Sequence, residues 1–373
     1  MLKDSLKDIV IVGGGPAGSF CAYNLAKNGI YPIIFDDSHP REKPCGGGIS
    51  SFALKKFPIL HGVPKSKYYG NKIKLISPSG NEVDTYGETG MNISRLHLDK
   101  YLLEKATKAG SILAREKVIA IEKNKDYWTV KTKKRKIKAR FIIGADGVNS
   151  LIRKNVLGVI PKENLGLCFG YFVKGRKPML IKFVENIPGF IWSFPREDHT
   201  SIGIGSDLIH GNYLKKILNN FISSYFKEFK VISEWSAIIP TIKNSNFYKL
   251  PCTGKNWGLI GDAAGHVDSI TGEGIMYALW DGELLSEAIK KDDITLFDKL
   301  WRNEYGYDLI EGSKLRKYIY NPYAIEISIN LASKSKTYAR ILHDMIGSEI
   351  EYKALFWRTL RQLPKILFDM ISK

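Results

Sequence analysis

Gly13, Gly15 and Gly18 form a GxGxxG that sits between the β-branched run Ile9–Val12 and a stretch with helical spacing. No other feature constrains the fold as strongly. A bare Cα at Gly13 permits a tight turn, and one at Gly15 lets backbone approach a pyrophosphate. Pro16 and Ala17 open a helix whose N–H groups and positive dipole end face an anion, and Gly18 lets helix and strand pack closely. Ala22, Leu25 and Ala26 share one face of that helix, Asn28-Gly29 closes it, and Pro32–Phe35 reads as a second strand ending in Asp36. Asp36 lies 21 positions after Gly15, where a carboxylate accepts hydrogen bonds from an adenosine ribose. The unit is a βαβ dinucleotide site.

The rest of the chain sets limits on what accompanies this unit. With 373 residues, 44% hydrophobic and 25% charged, it has material for two or three cores and is too apolar to remain disordered. Cys21, Cys45, Cys168 and Cys252 are isolated, without a CxxC, so neither a disulfide framework nor a zinc site is expected and no metal is assigned. No apolar run approaches the roughly 18 residues of a membrane span, and Met1–Ser5 begins no signal peptide. The expectation is a cytoplasmic protein, soluble or peripheral at the inner membrane face. A net charge of +18 admits nucleic acid, an anionic membrane or an acidic ligand, or else lysines spread over solvated faces. The densest basic run, Lys131 to Arg140, has no aromatic interleaving, so nucleic acid is not expected as a partner.

Along the chain, residues 92–109 read as a helix, and 118–122, 127–132 and 136–139 as a meander. Phe141–Ile143 then returns to the parallel sheet. Residues 160–250 change to strands with aromatic residues, Gly258–Ile260 is a further buried strand, and a helix covers about 272–290. The remainder is helical, with Pro364 interrupting the last segment. The expected architecture is α/β. A Rossmann-like nucleotide domain (1–65, 90–160, 250–292) is interleaved with an antiparallel sheet domain (66–89, 161–249), and a helical region follows (293–373).

Two further motifs follow strands: Gly144-Ala145-Asp146-Gly147 running on to Arg153, and Gly258-Leu259-Ile260-Gly261-Asp262-Ala263-Ala264-Gly265. With these residues the sequence resembles the FAD-dependent group that contains p-hydroxybenzoate hydroxylase and the geranylgeranyl reductases. The resemblance implies FAD, with Asp146 in the motif that closes over the cofactor and Asp262, next to Gly261, on the ribityl chain. The third motif continues to Gly272, Gly274 and Ile275, which open a helix toward flavin N1 and the C2 carbonyl; the group has Pro where Ser269 stands. Arg41–Ile49 looks like the cysteine-glycine run of geranylgeranyl reductases, which places Arg41, Cys45, Gly46 and Gly47 beside the flavin and Gly48 toward substrate. Cys45 is there either a proton donor to carbon or a small buried residue of a tight loop. Pro188–Pro195 is similar to the aromatic YxWxFP signature of the same reductases, with Phe190 in place of Tyr. Alternation sets Phe190, Trp192 and Phe194 on one face, to wall a hydrophobic tunnel or to fill a core. Arg95 and Asp99 match a helix start near FAD, or form an exposed i,i+4 pair. His266 reads as a satisfied structural histidine.

The resemblance implies a reductase that saturates isoprenoid chains of membrane lipid precursors, supplied with electrons by NADPH, NADH or ferredoxin. A single GxGxxG and a Cys45 without a neighbouring cysteine argue against disulfide reduction. An aromatic-ring monooxygenase and a non-catalytic FAD-binding protein are the competing readings. The basic, apolar segment 352–373 either lies on an anionic membrane or caps the protein's own core.

Overall fold

A computed structural model describes residues 7–64 and 67–372; the Met1–Ser5 start lies outside the described residues. Two eight-stranded sheets carry the fold. In the first, Lys7–Val12 lies between Lys136–Gly144 and Ile33–Phe35 in parallel register, with Ile112–Ala114 and Trp257–Leu259 extending the parallel set. Ile9–Val12 is buried, as a strand covered on both faces must be. The helix Pro16–Lys27 follows at once and packs against Arg95–Lys108 and Ile275–Lys290.

One expectation changes here. Residues 136–139 and 141–143 are not two strands but one, Lys136–Gly144. Its first half pairs antiparallel with Trp128–Thr132 and its second half parallel with Lys7–Val12, so no turn is needed at Arg140.

In the second sheet the order is Val231–Pro240, Leu165–Lys174, His199–Asp207, Phe190–Pro195, Leu180–Phe183, Lys67–Ile76, Glu82–Ile93 and Gly48–Ile49. All pairs are antiparallel except Leu180–Phe183 with Lys67–Ile76. One face buries Ile202 and Ile204 under Leu214, Leu218 and Phe221 of the helix Gly211–Tyr225. On the other face Gly170 and Gly203 stand opposite each other, flanked in register by Trp235 and Trp192. The two indoles stack over the glycines with centroids 5.9 Å apart. A Cβ on Gly170 would meet Trp235 at 2.5 Å, and one on Gly203 would meet Trp192 at 2.4 Å. The next row is Ala237, Cys168, Gly205 and Phe190, so small side chains leave a trough in the sheet surface.

After residue 295 the chain is helical, ending in Lys336–Ile346 and Tyr352–Ile371. The last helix runs unbroken through Pro364, contrary to the interruption expected from sequence. Leu360, whose carbonyl loses its N–H partner to the proline, is exposed, so water can take that bond.

Candidate active site

The glycine loop is shaped as the motif requires. Gly13 adopts φ +107°, and a Cβ there would stand 2.2 Å from the Ala145 carbonyl oxygen. Gly15 is open, with His39 the nearest group at 3.8 Å from where its Cβ would be, and no side chain caps the helix that begins at Pro16 and Ala17. The open cradle and the uncapped N–H groups fit a pyrophosphate.

Asp36 is placed at the strand end but faces its own loop. Oδ2 accepts from Gly14 N–H (2.6 Å) and lies 2.8 Å from His39 Nδ1, while Oδ1 accepts from the N–H groups of Ser38 (2.8 Å) and His39 (2.6 Å). About four acceptor sites of a carboxylate are thereby filled. Burial alone would raise this carboxyl, yet these bonds hold it well below the usual range. Asp36 fixes its own loop, and His39 takes one of its carboxylate oxygens.

Arg95 and Asp99 form a buried, bidentate pair, both bonds 2.8 Å, and are not an exposed surface pair. Burial opposes the charge on Arg95, but Asp99 and the Cys45 thiol beside it more than compensate. Asp99 Oδ2 lies 3.4 Å from His39 Nε2, which completes a chain of contacts from Asp36 to Cys45.

The cysteine loop is held mainly by a residue the sequence analysis did not single out. Arg196, fully buried, donates from Nη2 to the carbonyls of Cys45 (3.1 Å) and Gly46 (3.4 Å) and from Nη1 to Glu42 (2.7 Å), and lies 2.9 Å from His199 Nε2. Ser201 Oγ adds a bond to the Cys45 carbonyl at 3.0 Å. Burial would raise the Glu42 carboxyl; Arg196 and the Ser94 hydroxyl bring it below the ordinary range. Arg196 directly follows the aromatic run at Pro195, and that adjacency is its one sequence signal. Gly47, at φ +76°, has its Cβ position 2.2 Å from the Ile93 carbonyl oxygen, and its N–H donates to Cys45 Sγ at 3.2 Å. Arg41 stands exposed at the margin of the loop.

Asp146 turns inward as well. It accepts from the Leu151 N–H (2.7 Å) and from Ser150, capping the helix Leu151–Val156, and burial pushes its carboxyl up. Arg153 of that helix donates to the Ala263 carbonyl at 3.2 Å, which ties the second motif to the third. Asp262 remains partly accessible, with Lys43 Nζ 3.6 Å away. The Gly261 N–H donates to Asp281 at 2.7 Å, and the same carboxylate holds His266 at 2.9 Å. Burial would lower the His266 imidazole, but Asp281 outweighs it and pushes it up to about 10. His266 is thus a satisfied core histidine.

Where the related group has Pro, Ser269 is braced by the helical region. Arg316 Nε donates to the Ser269 carbonyl (2.9 Å), Tyr320 to the Ile270 carbonyl (2.6 Å), and Tyr352 to Asp268 (2.8 Å). Gly272 takes φ +73°, and Gly274 is the N-cap of the helix starting at Ile275 with no side-chain cap, so first-turn N–H groups are left that fit the pyrimidine edge of a flavin.

A cavity with about 1710 Å³ of empty space, its opening to solvent included, unites these parts. Cys45, Gly46, Gly47 and Gly48 form one wall, Gly272, Gly274 and Ile275 another, and Phe190, Trp192 and Phe194 stand over the trough of the second sheet. Asp36 and Asp146 are outside it. Among the described residues no His, Cys, Asp or Glu cluster could hold a metal ion.

Residues 10–159 match the family described as pyridine nucleotide-disulphide oxidoreductase. The chain is 32% identical over 303 residues to the geranylgeranyl diphosphate reductase of Rhodobacter capsulatus, covering 75% of this chain and 74% of that one. It is 30% identical over 316 residues to the digeranylgeranylglycerophospholipid reductase of Methanococcus vannielii, covering 76% and 77%. The crystal structure of a geranylgeranyl bacteriochlorophyll reductase-like protein from Thermoplasma acidophilum superposes with a TM-score of 0.78 at 21% identity, covering 96% of this chain and all of that one. The cofactor is FAD, and the chain belongs to the geranylgeranyl reductase family of flavin-dependent oxidoreductases.

Proposed function

We propose that the protein saturates C=C bonds in the geranylgeranyl chains of membrane lipid precursors. The observation that carries this reading is that the cysteine loop, the third-motif loop and the aromatic trough converge on one largely apolar cavity. The two relatives are named for geranylgeranyl diphosphate and for a digeranylgeranyl phospholipid, substrates that share a long prenyl chain. When bound, reduced FAD supplies hydride to an isolated alkene, a poor electrophile that needs exclusion of water and close positioning. The chain's own residues provide both. Trp192, Trp235 and Phe190 wall a trough whose floor, at Ala237, Cys168 and Gly205, is low enough to seat an alkyl chain. Cys45 gives a proton to the second alkene carbon, and the Gly47 N–H and the Arg95 guanidinium face the sulfur that loses it. Arg196 and Ser201 keep that sulfur in place. With one dinucleotide loop in the chain, the external electron donor (NADPH, NADH or ferredoxin) docks from outside.

The final helix supports a peripheral membrane contact. Phe356, Trp357, Phe368 and Ile371 are 67%, 60%, 68% and 85% exposed, with Lys353, Arg361 and Lys365 on the same helix. Only Tyr352 and Ile366 of this helix are buried, so its apolar side does not serve mainly as a core cap. It packs on Lys336–Ile346, whose Met345 and Ile346 line the cavity. Each Lys or Arg adds about 1 kcal/mol near an anionic surface.

Anaerobic incubation of reduced holoenzyme with geranylgeranylated lipids should raise product mass by two hydrogens per double bond. Oxygen uptake coupled to an aromatic substrate, without saturated lipid, would establish the monooxygenase instead. The combined W357S, F368S and I371S variant should lose flotation with anionic liposomes at low salt; flotation equal to wild type would exclude docking through this helix.

A further inference from the structure

Each alkene that is saturated consumes a proton as well as a hydride, so the cavity needs a proton supply beside its hydride source. Few of its walls can provide one. Arg316 is paired with Asp207 at 2.8 Å, Tyr320 gives its hydroxyl to the Ile270 carbonyl, and burial pushes the Cys168 thiol up to about 12. Glu88 is exposed at the rim, and both nitrogens of His343 contact Thr85 Oγ1 and the Glu88 carbonyl. Cys45 and Glu273 are the remaining titratable side chains of the described lining.

Glu273 lies between Gly272 and Gly274 on the loop expected at the flavin, and its carboxyl joins that loop to two distant segments. Oε1 accepts from the Ser50 N–H (3.2 Å) and hydroxyl (2.9 Å), and Oε2 from the Ser348 hydroxyl (3.0 Å). Ser50 also lines the cavity, at the end of the loop that begins with Cys45. Ser348 is half-buried between the last two helices, next to Glu349, whose ion pair with Lys55 (2.9 Å) flanks it. Burial pushes the Glu273 carboxyl up, Asp268 on its own loop adds to this, and Tyr277 is the neighbouring ionisable group on the following helix.

We propose that Ser348, Glu273 and Ser50 form a proton relay from solvent into the substrate cavity. The proposal rests on the reductase reading above. Cys45 loses its proton to carbon; a water molecule in the cavity carries a proton from the Ser50 hydroxyl to the thiolate, and Glu273 returns one to Ser50. Solvent reprotonates the carboxylate through Ser348. Net uptake is one proton per double bond. Both serines can relay because a hydroxyl donates and accepts at once.

Glu273→Gln keeps an acceptor for Ser50 and nearly the same volume but carries no transferable proton. In holoenzyme assayed with a geranylgeranyl lipid, we expect bound flavin to be retained, kcat to fall at least about 100-fold with KM within about twofold, and the alkaline limb of the kcat profile to disappear. Ser348→Ala should lower kcat about tenfold and raise the solvent deuterium isotope effect. Wild-type kcat and pH profile in Glu273→Gln would overturn the relay. If that variant loses flavin, Ser348→Ala decides, and an unchanged rate and isotope effect there would equally overturn it. Failure of the wild-type enzyme to saturate any prenyl lipid would count against the reductase reading itself.

Discussion

Replacing Arg196 with Met tests how the active loop is held. Met approximates the length of the side chain over Phe172, against which the guanidinium lies at 5.1 Å, but cannot donate. Charge-assisted hydrogen bonds are worth about 1.5–3 kcal/mol each and are not additive. The losses here are unequal. The Cys45 carbonyl keeps Ser201 at 3.0 Å, and Glu42, 25% exposed, keeps the Ser94 hydroxyl and the Arg95 N–H, so each loses at the low end of that range. The Gly46 carbonyl has Arg196 as its recorded donor and carries a larger share. A net loss of about 3 kcal/mol follows, at the low end of the roughly 3–5 kcal/mol for breaking a buried ion pair. Scaled for a chain of this size, it lowers Tm by roughly 4 °C. Because the glycine cradle at Gly13–Gly18 is untouched, flavin content should persist while kcat falls, an ångström of misplacement at Cys45 costing about 100-fold. Arg196→Lys should recover part of the stability and little of the rate, since one ammonium cannot fork across two carbonyls. Thermal unfolding followed by flavin fluorescence, with turnover measured beside it, reads both effects. A Tm within a degree of wild type together with unchanged turnover would refute the reasoning.

Gly15→Leu should yield colourless protein, because its side chain would fill the open pyrophosphate cradle; a full flavin spectrum would contradict the site. Gly205→Leu, whose Cβ would lie 3.1 Å from Cys168 Sγ and 3.5 Å from Trp192, should block the trough. It should retain FAD but lose lipid turnover and any lipid carried through purification, as mass spectrometry of extracts would show. Burial pushes Asp308 up to about 7 in the folded protein, against about 3.9 when unfolded. Its stabilising contribution is therefore complete below about pH 4 and is lost as pH rises through about 7. Asp308→Asn keeps an acceptor for the Tyr352 N–H, and should match wild type near pH 4 but unfold at a higher temperature at pH 8. Equal melting temperatures at pH 8 would argue against that assignment.

The cofactor half of the molecule was legible because its signals are local. A β-branched run, three glycines and helical spacing specify strand, turn and helix within 20 residues, and the alternation of Phe190, Trp192 and Phe194 gave a common face. Asp36 and Asp146 show the limit of that reasoning. Asp36 follows its strand and Asp146 its glycine motif, as read, but their oxygens are taken by neighbouring donor groups, and a motif does not reveal which way a carboxylate turns. Arg196 and the partners of Glu273 were invisible because each joins segments 70 to 300 residues apart with no periodicity between them. Arg140 looked like a break between strands because a polar residue interrupts the apolar pattern, although each half of that strand has its own partner. The exposure of the last helix was equally hidden, since an amphipathic pattern defines a face and not what covers it.

The bracing of Ser269 and Ile270 by Arg316, Tyr320 and Tyr352 bears on the order in which the protein is made. Synthesis produces the glycine loop first, the third motif some 250 residues later, and the residues that steady that motif only after 50 to 80 more. Domains generally fold as they emerge, and contacts of long sequence separation form slowly. A nascent chain therefore shows its glycine loop long before it can steady the third motif, whose loop at Ser269 and Ile270 is fully braced only once Tyr352 has been added and has docked on Asp268.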